Sequence, residues 1–105
     1  MGGKKPIKEI KNFINNASKD FNIIRVIFFG SRALGKSSKD SDIDLIIVSD
    51  DFEGLDFFQR GARMYNYWDS DYPVDFLCYT QDEYKKLSKM ITIVREANKN
   101  GIVIN

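Results

Sequence analysis

An α/β (α+β) fold, one small mixed sheet of about four strands flanked by helices, is predicted by two kinds of hydrophobic pattern in this chain. Apolar residues at helical spacing alternate with short apolar runs, in the order helix, strand, short helix, strand, helix, strand, helix, strand. A length of 105 residues leaves room for one hydrophobic core. We therefore expect a single domain over residues 1–105.

The first half of the chain has two predicted helices and two predicted strands. Helical spacing, with Pro6 in the first turn, predicts a helix whose apolar residues are Ile7, Ile10, Phe13, Ile14, Ala17 and Phe21. The apolar run 23–29 predicts a buried strand. Residues 30–35 predict a tight turn that leads into a short helix, and residues 36–41 a polar loop. A second strand is predicted over Ile43–Val48.

The second half is predicted to alternate in the same way. Residues 55–68 predict a helix with a core face of Leu55, Phe58, Ala62, Tyr65 and Trp68. Residues 73–79 predict a third strand, with its proline at the start where a missing donor is tolerated. Thr80 and Glu83 have capping-box spacing for a last helix. Its shared apolar face is Tyr84, Leu87, Met90, Ile91 and Val94. Residues 102–104 predict a short edge strand.

Composition excludes several kinds of chemistry. The chain has no histidine, which excludes Ser-His-Asp and Cys-His catalysis and every His-ligated metal site. The single Cys78 is expected to fill the core and fits a reducing, cytoplasmic location. A formal net charge of +1 gives no reason to expect direct nucleic-acid binding. No apolar run is long enough to span a membrane, and we expect no signal peptide.

Asp42 and Asp44 are the first candidate site residues. Residues i and i+2 of a strand point to the same face, roughly 7 Å apart. Two carboxylates on one side of an otherwise apolar strand repel each other, and a bound Mg²⁺ or Mn²⁺ would relieve the repulsion. The alternative is a solvated strand entrance that caps a turn with Ser41. For the Asp-x-Asp pattern taken alone, this alternative is favoured.

Asp75 favours the interpretation of these aspartates as a metal site. It lies within the third apolar strand, where a bare charge needs a partner. If this strand neighbours the second strand, three carboxylates converge. The alternative is an ion pair with Arg60 or Arg63 from the preceding helix.

Gly30 and Ser31 follow the first strand and are candidates for phosphate binding. Glycine lets the backbone approach a ligand, and a serine at a helix start offers its hydroxyl beside free amides. The alternative is an ordinary N-cap serine. Residues 30–37 also fit the P-loop pattern, but the next strand follows too soon for the long helix that a P-loop requires. We interpret that match as accidental.

These stretches together resemble the minimal nucleotidyltransferase branch of the DNA polymerase β-like nucleotidyltransferase superfamily. The resemblance is carried by Gly-Ser-Arg-Ala-x-Gly at residues 30–35, Ser-Asp-Ile-Asp-Leu at 41–45 and Val-Asp-Phe at 74–76. It extends over nearly the whole chain. Leu34 departs from the pattern, because many relatives have a second arginine there.

The resemblance implies a role for each candidate residue. Asp42 and Asp44 would bind two Mg²⁺ ions (or Mn²⁺), and Asp75 would complete the catalytic metal site and help to lower the pKa of the attacking hydroxyl. The amide of Gly30 and the hydroxyl of Ser31 would hold the triphosphate. Arg32, with Lys36 and Lys39, would add positive charge near the leaving group. For these three cations, solvated loop positions are an equally good interpretation.

The resemblance also implies a function and a partner. The expected reaction moves AMP from ATP, or another nucleoside monophosphate, to an acceptor hydroxyl, with loss of pyrophosphate. The expected acceptor is a tyrosine of a helical HEPN-type toxin, against which this chain would act as antitoxin. The alternative is a non-catalytic module that neutralises its partner by contact. Homo-oligomerisation stays open.

Aromatic residues at 57–72 are a further candidate surface. Phe57, Tyr67 and Tyr72 are expected to be exposed, available for a protein interface or for stacking on a base. Core packing remains the alternative for most of them.

Overall fold

The computed structural model describes residues 5–35, 42–90 and 92–105. Within these ranges the chain forms four α-helices and a four-stranded mixed sheet, which confirms the predicted fold class. The elements are α1 (Ile7–Ala17), β1 (Arg25–Phe29), β2 (Ile43–Val48), α2 (Phe57–Tyr65), β3 (Val74–Tyr79), α3 (Gln81–Ser88), α4 (Ile93–Asn100) and β4 (Ile102–Val103), with a 3-10 turn at Asp50–Phe52 before α2. The expectations for Lys36, Ser37, Lys39, Ser41 and Ile91 lie outside the described residues.

The sheet has the strand order β3-β2-β1-β4. β2 runs parallel to β3 and antiparallel to β1, and β1 is antiparallel to β4. The connection between the parallel strands contains α2, as a parallel pair requires. β3 is therefore an edge strand, while β2 is buried along nearly its whole length.

Each face of the sheet is covered by helices. On one face, α1 and α2 pack on alternate strand residues such as Phe28, Leu45 and Phe76. On the other face, α3 and α4 pack on the intervening residues, among them Ile27 and Ile46. Because both faces are covered, the central strands are apolar on both sides, which explains their continuous hydrophobic runs. None of the helices in the described ranges has the length and apolar character needed to cross a membrane.

The predicted core face of α2 was wrong at Phe58, Ala62 and Tyr65, whereas Trp68, beyond the end of the helix, packs against the core as predicted. Phe58 is 85% exposed and Tyr65 is half exposed, whereas Met64 and Arg60 are buried. The helix begins only after Asp56, whose side chain caps it together with Gln59. Hydrophobic periodicity misses this orientation because a buried arginine, satisfied by polar partners, occupies a core position.

The predicted last helix is two helices. The capping box of Thr80 and Glu83 begins α3 as expected. Thr92 then interrupts the helix, because its hydroxyl donates a hydrogen bond to the Leu87 carbonyl (2.7 Å) and accepts one from the Arg95 amide (3.2 Å). The first of these bonds satisfies the end of α3 and the second caps the start of α4.

Candidate active site

Asp44 and Asp75 lie side by side on neighbouring parallel strands. Asp44 of β2 is the direct register partner of Asp75 of β3. The strands are thus neighbours, as the convergence of the three carboxylates requires. By strand alternation, both residues belong to the sheet face that carries Ile46 and Leu77, on which α3 and α4 pack. Asp42, one residue before β2, is exposed and lies close enough to Asp75 for their side chains to hydrogen-bond.

Burial and neighbouring carboxylate charges raise the pKa of Asp44 and of Asp75. The pKa of Asp44 is raised by burial, then by the charge of Asp75 and that of Asp42. The pKa of Asp75 is raised by desolvation, although much of the residue is exposed, then by the charge of Asp42 and by the hydrogen bond between the two side chains. Both shifts show that desolvation and neighbouring carboxylates disfavour the charged forms of Asp44 and Asp75 at this site.

The alternative of an ion pair with Arg60 is excluded by the contacts of that side chain. Arg60 binds Glu83 at 2.6 Å and also donates to the carbonyls of Leu55 and Cys78. Arg63 and Asp75 both lie within the described ranges, and the structure shows no ion pair between them.

The donor chemistry at this edge fits Mg²⁺ as part of a nucleotide complex. No group of three or more acidic or cysteine side chains in the described part of the chain is arranged as a ready-made metal cage. Mg²⁺, however, is usually bound by one or two carboxylates together with substrate phosphates and water. The paired carboxylates of Asp44 and Asp75 match that open arrangement.

Gly30 allows the backbone to approach Asp44 closely. It has a φ of +84°, and a Cβ at this position would lie 2.3 Å from Oδ2 of Asp44. Only glycine therefore fits here without moving the carboxylate. The structure brings Gly30, Asp44 and Asp75 into one cleft.

Ser31 and Arg32 are placed differently from expectation. Ser31 is exposed and starts a turn at residues 31–35, closed by a hydrogen bond from the Leu34 amide to the Gly30 carbonyl, rather than the predicted helix. Arg32 is buried, with its guanidinium 5.1 Å from the centre of the Tyr72 ring. Neither side chain lines the cleft. Their phosphate contacts remain predictions.

The cleft has a volume of about 870 Å³ and extends from the two aspartates to α4. One face of α4 forms its far wall, with Ile93, Glu96, Ala97 and Asn100. Sequence reasoning had not assigned these residues to the site. Their spacing of three, four and seven residues indicates a common helix face but not what that face covers.

The mouth of the cleft is apolar. Leu34, Phe57 and Ile93 line the cleft and are each about half exposed or more. Phe58, beside Phe57, is the most exposed of the large apolar side chains in the described ranges. The prediction of an exposed Phe57 is confirmed, whereas Tyr67 and Tyr72 are partly buried against the core.

Comparisons with known proteins identify a family for this chain. A family model for the nucleotidyltransferase domain matches residues 7–101. "Probable protein adenylyltransferase MntA" of Haemophilus influenzae is 37% identical to this chain, over 68% of the chain and 65% of that protein, just under two thirds of the relative's length.

Two solved structures share the fold. The crystal structure of a "putative nucleotidyltransferase" from Sulfolobus solfataricus superposes with a TM-score of 0.61 and 26% identity, over 76% of this chain and 71% of that one. A crystal structure described as a toxin–antitoxin with AMP-PNP superposes with a TM-score of 0.59 and 19% identity, over 95% of this chain and 73% of that one. The second likeness shows the fold alone.

Proposed function

Because the chain belongs to the nucleotidyltransferase domain family, we propose that it transfers a nucleoside monophosphate, AMP from ATP, to a hydroxyl of a protein partner. The observation that carries the proposal is the register pair of Asp44 and Asp75, with Gly30 against Asp44 in the same cleft. Two strand aspartates whose pKa is raised by burial and by neighbouring carboxylate charges do not stabilise the fold, but they suit the binding of cations that accompany a triphosphate.

Asp42, Asp44 and Asp75 would hold Mg²⁺ ions, which supply positive charge to the attacking and leaving oxygens when bound. Asp75 is more exposed to solvent than Asp44, the other strand aspartate. It would orient the acceptor hydroxyl and take up its proton. The oxygen of that hydroxyl forms a bond to the α-phosphorus, and the bond from the α-phosphorus to the pyrophosphate oxygen breaks. The Gly30 amide would bind phosphate oxygens, and Ser31 and Arg32 would add contacts from the adjoining turn.

The nucleoside would occupy the apolar part of the cleft. Phe29, Leu77 and Ala97 line it beyond the aspartates, and its volume of about 870 Å³ is large enough for a nucleotide. Asn100, held by a hydrogen bond to Glu96 (2.6 Å), would present polar groups to a base.

The protein acceptor is supported by the cleft mouth and by the name of the Haemophilus relative, a protein adenylyltransferase. Exposed apolar side chains around a cleft, here Leu34, Phe57 and Ile93, are typical of a surface that binds another protein. We propose a helical HEPN-type toxin as that partner, one of its tyrosines as acceptor, and an antitoxin role for this chain.

The experiment is transfer of label from [α-³²P]ATP with Mg²⁺ to a purified toxin partner encoded beside this chain. Wild-type protein should label the partner, and Asp42→Ala and Asp75→Ala should lose at least 100-fold in rate, by analogy with removal of groups that stabilise transition-state charge. Undiminished labelling by both variants would refute the mechanism. If Asp75→Ala silences the toxin as well as wild type does, without label, the contact-only alternative is correct.

A further inference from the structure

Asp75 lies on the exposed edge of the sheet, and its strand is fastened there by α2. Successive residues of a strand direct their carbonyls to opposite sides. The carbonyls of Pro73 and Tyr79 accept hydrogen bonds from Ile43 and Ser49, on the β2 side. The carbonyls of Val74 and Cys78 therefore point to the outer edge, where no strand of the described ranges pairs with β3.

Two side chains of α2, Arg60 and Tyr65, donate hydrogen bonds to those outer carbonyls. Arg60 donates to the Cys78 carbonyl at 3.2 Å, near the end of β3. The hydroxyl of Tyr65 donates to the Val74 carbonyl, at the start of β3. Unpaired edge groups otherwise leave a strand end free to shift, so the tyrosine fixes the residue that precedes Asp75.

The ring of Tyr65 contacts the residue that follows Asp75. It packs edge-on against Phe76, with 5.0 Å between ring centroids. One side chain thus holds both neighbours of Asp75. Its hydroxyl also lies near the acidic site, since the pKa of Tyr65 is raised by burial and then by the charges of Asp75 and Asp42.

We propose that Tyr65 is a positioning residue that holds the start of β3 so that the Asp75 carboxylate stays aligned with Asp44. The alignment role rests on the proposed function, whereas the fastening of the strand does not. Register with β2 fixes Asp75 from one side, and Tyr65 fixes it from the other.

The test uses Tyr65→Phe, which removes the hydroxyl and keeps the ring against Phe76. Tyr67→Phe is the matched control, because the Tyr67 hydroxyl also donates a hydrogen bond, to Asp20 at 2.8 Å, but on the face away from Asp75. Amide hydrogen exchange at Asp75, whose amide points to the β2 side because the Val74 carbonyl points outward, should be about five- to tenfold faster in Tyr65→Phe, as expected for one lost hydrogen bond, and unchanged in the control.

Two further readouts separate the alignment from simple loosening. Mn²⁺ affinity, measured by electron paramagnetic resonance of the free ion, should be about tenfold weaker in Tyr65→Phe. The kcat for AMP transfer should fall by a similar factor while KM for ATP is unchanged, because Tyr65 acts through Asp75.

Each outcome decides the proposal. Unchanged exchange at the Asp75 amide overturns the fastening, and faster exchange with wild-type Mn²⁺ affinity overturns the alignment. Wild-type protein that binds no Mn²⁺ overturns the alignment as well. Wild-type protein that binds Mn²⁺ but transfers no AMP refutes the proposed function alone, and the exchange and Mn²⁺ results then still support or overturn the role of Tyr65.

Discussion

Replacement of Gly30 by alanine tests whether the turn after β1 and the Asp44 carboxylate are built as one unit. Two separate costs are expected. The backbone φ of +84° places the residue in the left-handed region, which costs an L side chain about 1–2 kcal/mol. The new Cβ would also lie 2.3 Å from Oδ2 of Asp44, so the carboxylate or the turn must move by about 1 Å to restore van der Waals contact.

The two costs affect different measurements. The strain, partly offset because alanine restricts the unfolded chain by about 0.4–1 kcal/mol, should lower the melting temperature by about 4–8 °C per net kcal/mol in a domain of this size. Displacement of a site carboxylate by about 1 Å should lower the AMP-transfer rate by about 100-fold. Circular dichroism melts and the labelled-ATP assay measure the two effects.

Gly54→Ala is the matched control. Gly54 has almost the same φ, +85°, but a Cβ there meets no atom within 4 Å. It should therefore show the loss of stability without the loss of rate. If Gly30→Ala transfers AMP as fast as Gly54→Ala does, the close packing of the turn on Asp44 has no role in the reaction and the reasoning is refuted.

Three other predictions follow from the charges and burial of the site and core. Asp44→Asn removes one of three mutually repelling charges. Because the native pKa of Asp44 is raised, its charge destabilises the fold above its ordinary pKa of 3.8. The variant should therefore melt at a higher temperature than wild type at pH 7 without added cation, but not at pH 3, and it should lose Mg²⁺-dependent stabilisation. A lower melting temperature at pH 7 would contradict this. Burial raises the pKa of the Cys78 thiol to about 12, so iodoacetamide at pH 8 should alkylate it only under denaturing conditions; native-state alkylation, read by mass spectrometry, would show an accessible thiolate. The hydrogen bond from Arg60 lowers the pKa of Glu83, so the pair stabilises the fold above the ordinary Glu pKa of 4.5 and loses that contribution as the pH falls through the lower native value. Glu83→Gln should lower the free energy of unfolding by about 1 kcal/mol at pH 7, a modest effect because Glu83 is partly exposed. In urea titrations, the variant should lose less stability than wild type as the pH falls. If both proteins lose the same stability in acid, the Arg60–Glu83 pair is not the source of that loss.

How far the sequence predicts this fold depends on whether a residue's environment is local. β2 was predicted with the bounds that the structure shows, because Ile43–Val48 is a short apolar run with polar residues on both sides. The buried face of α2 was not predicted correctly, because Arg60 is buried by partners that lie 18 and 23 residues away in the chain. A prediction from hydrophobic periodicity places arginine on the surface and therefore assigns the wrong face of the helix to the core.

The candidate site likewise combines features that are visible in the sequence with features that depend on the fold. The spacing of Asp42 and Asp44 is visible in the sequence, but their relation to Asp75 depends on β2 and β3 being neighbours. In the sequence, Gly30 is a candidate because glycine is free to approach a ligand, whereas the structure gives a more specific reason, the close approach of its backbone to the Asp44 carboxylate. The face of α4 that lines the cleft has no chemical motif, so its part in the site follows only from the way the helix packs against the sheet.

The parallel direction of β2 and β3 is what makes a shared acidic site possible. Parallel strands begin at the same edge of a sheet, so residues near their starts, Asp44 and Asp75, become neighbours; in an antiparallel pair an aspartate near the start of one strand would face the end of the other. The crossover that a parallel pair requires is α2, which also carries Tyr65 to the outer side of β3. The same connection thus produces the acidic pair and fastens it. The burial and the neighbouring carboxylate charges that raise the pKa of Asp44 and of Asp75 oppose folding, and such a cost is typical of residues retained for binding rather than for stability.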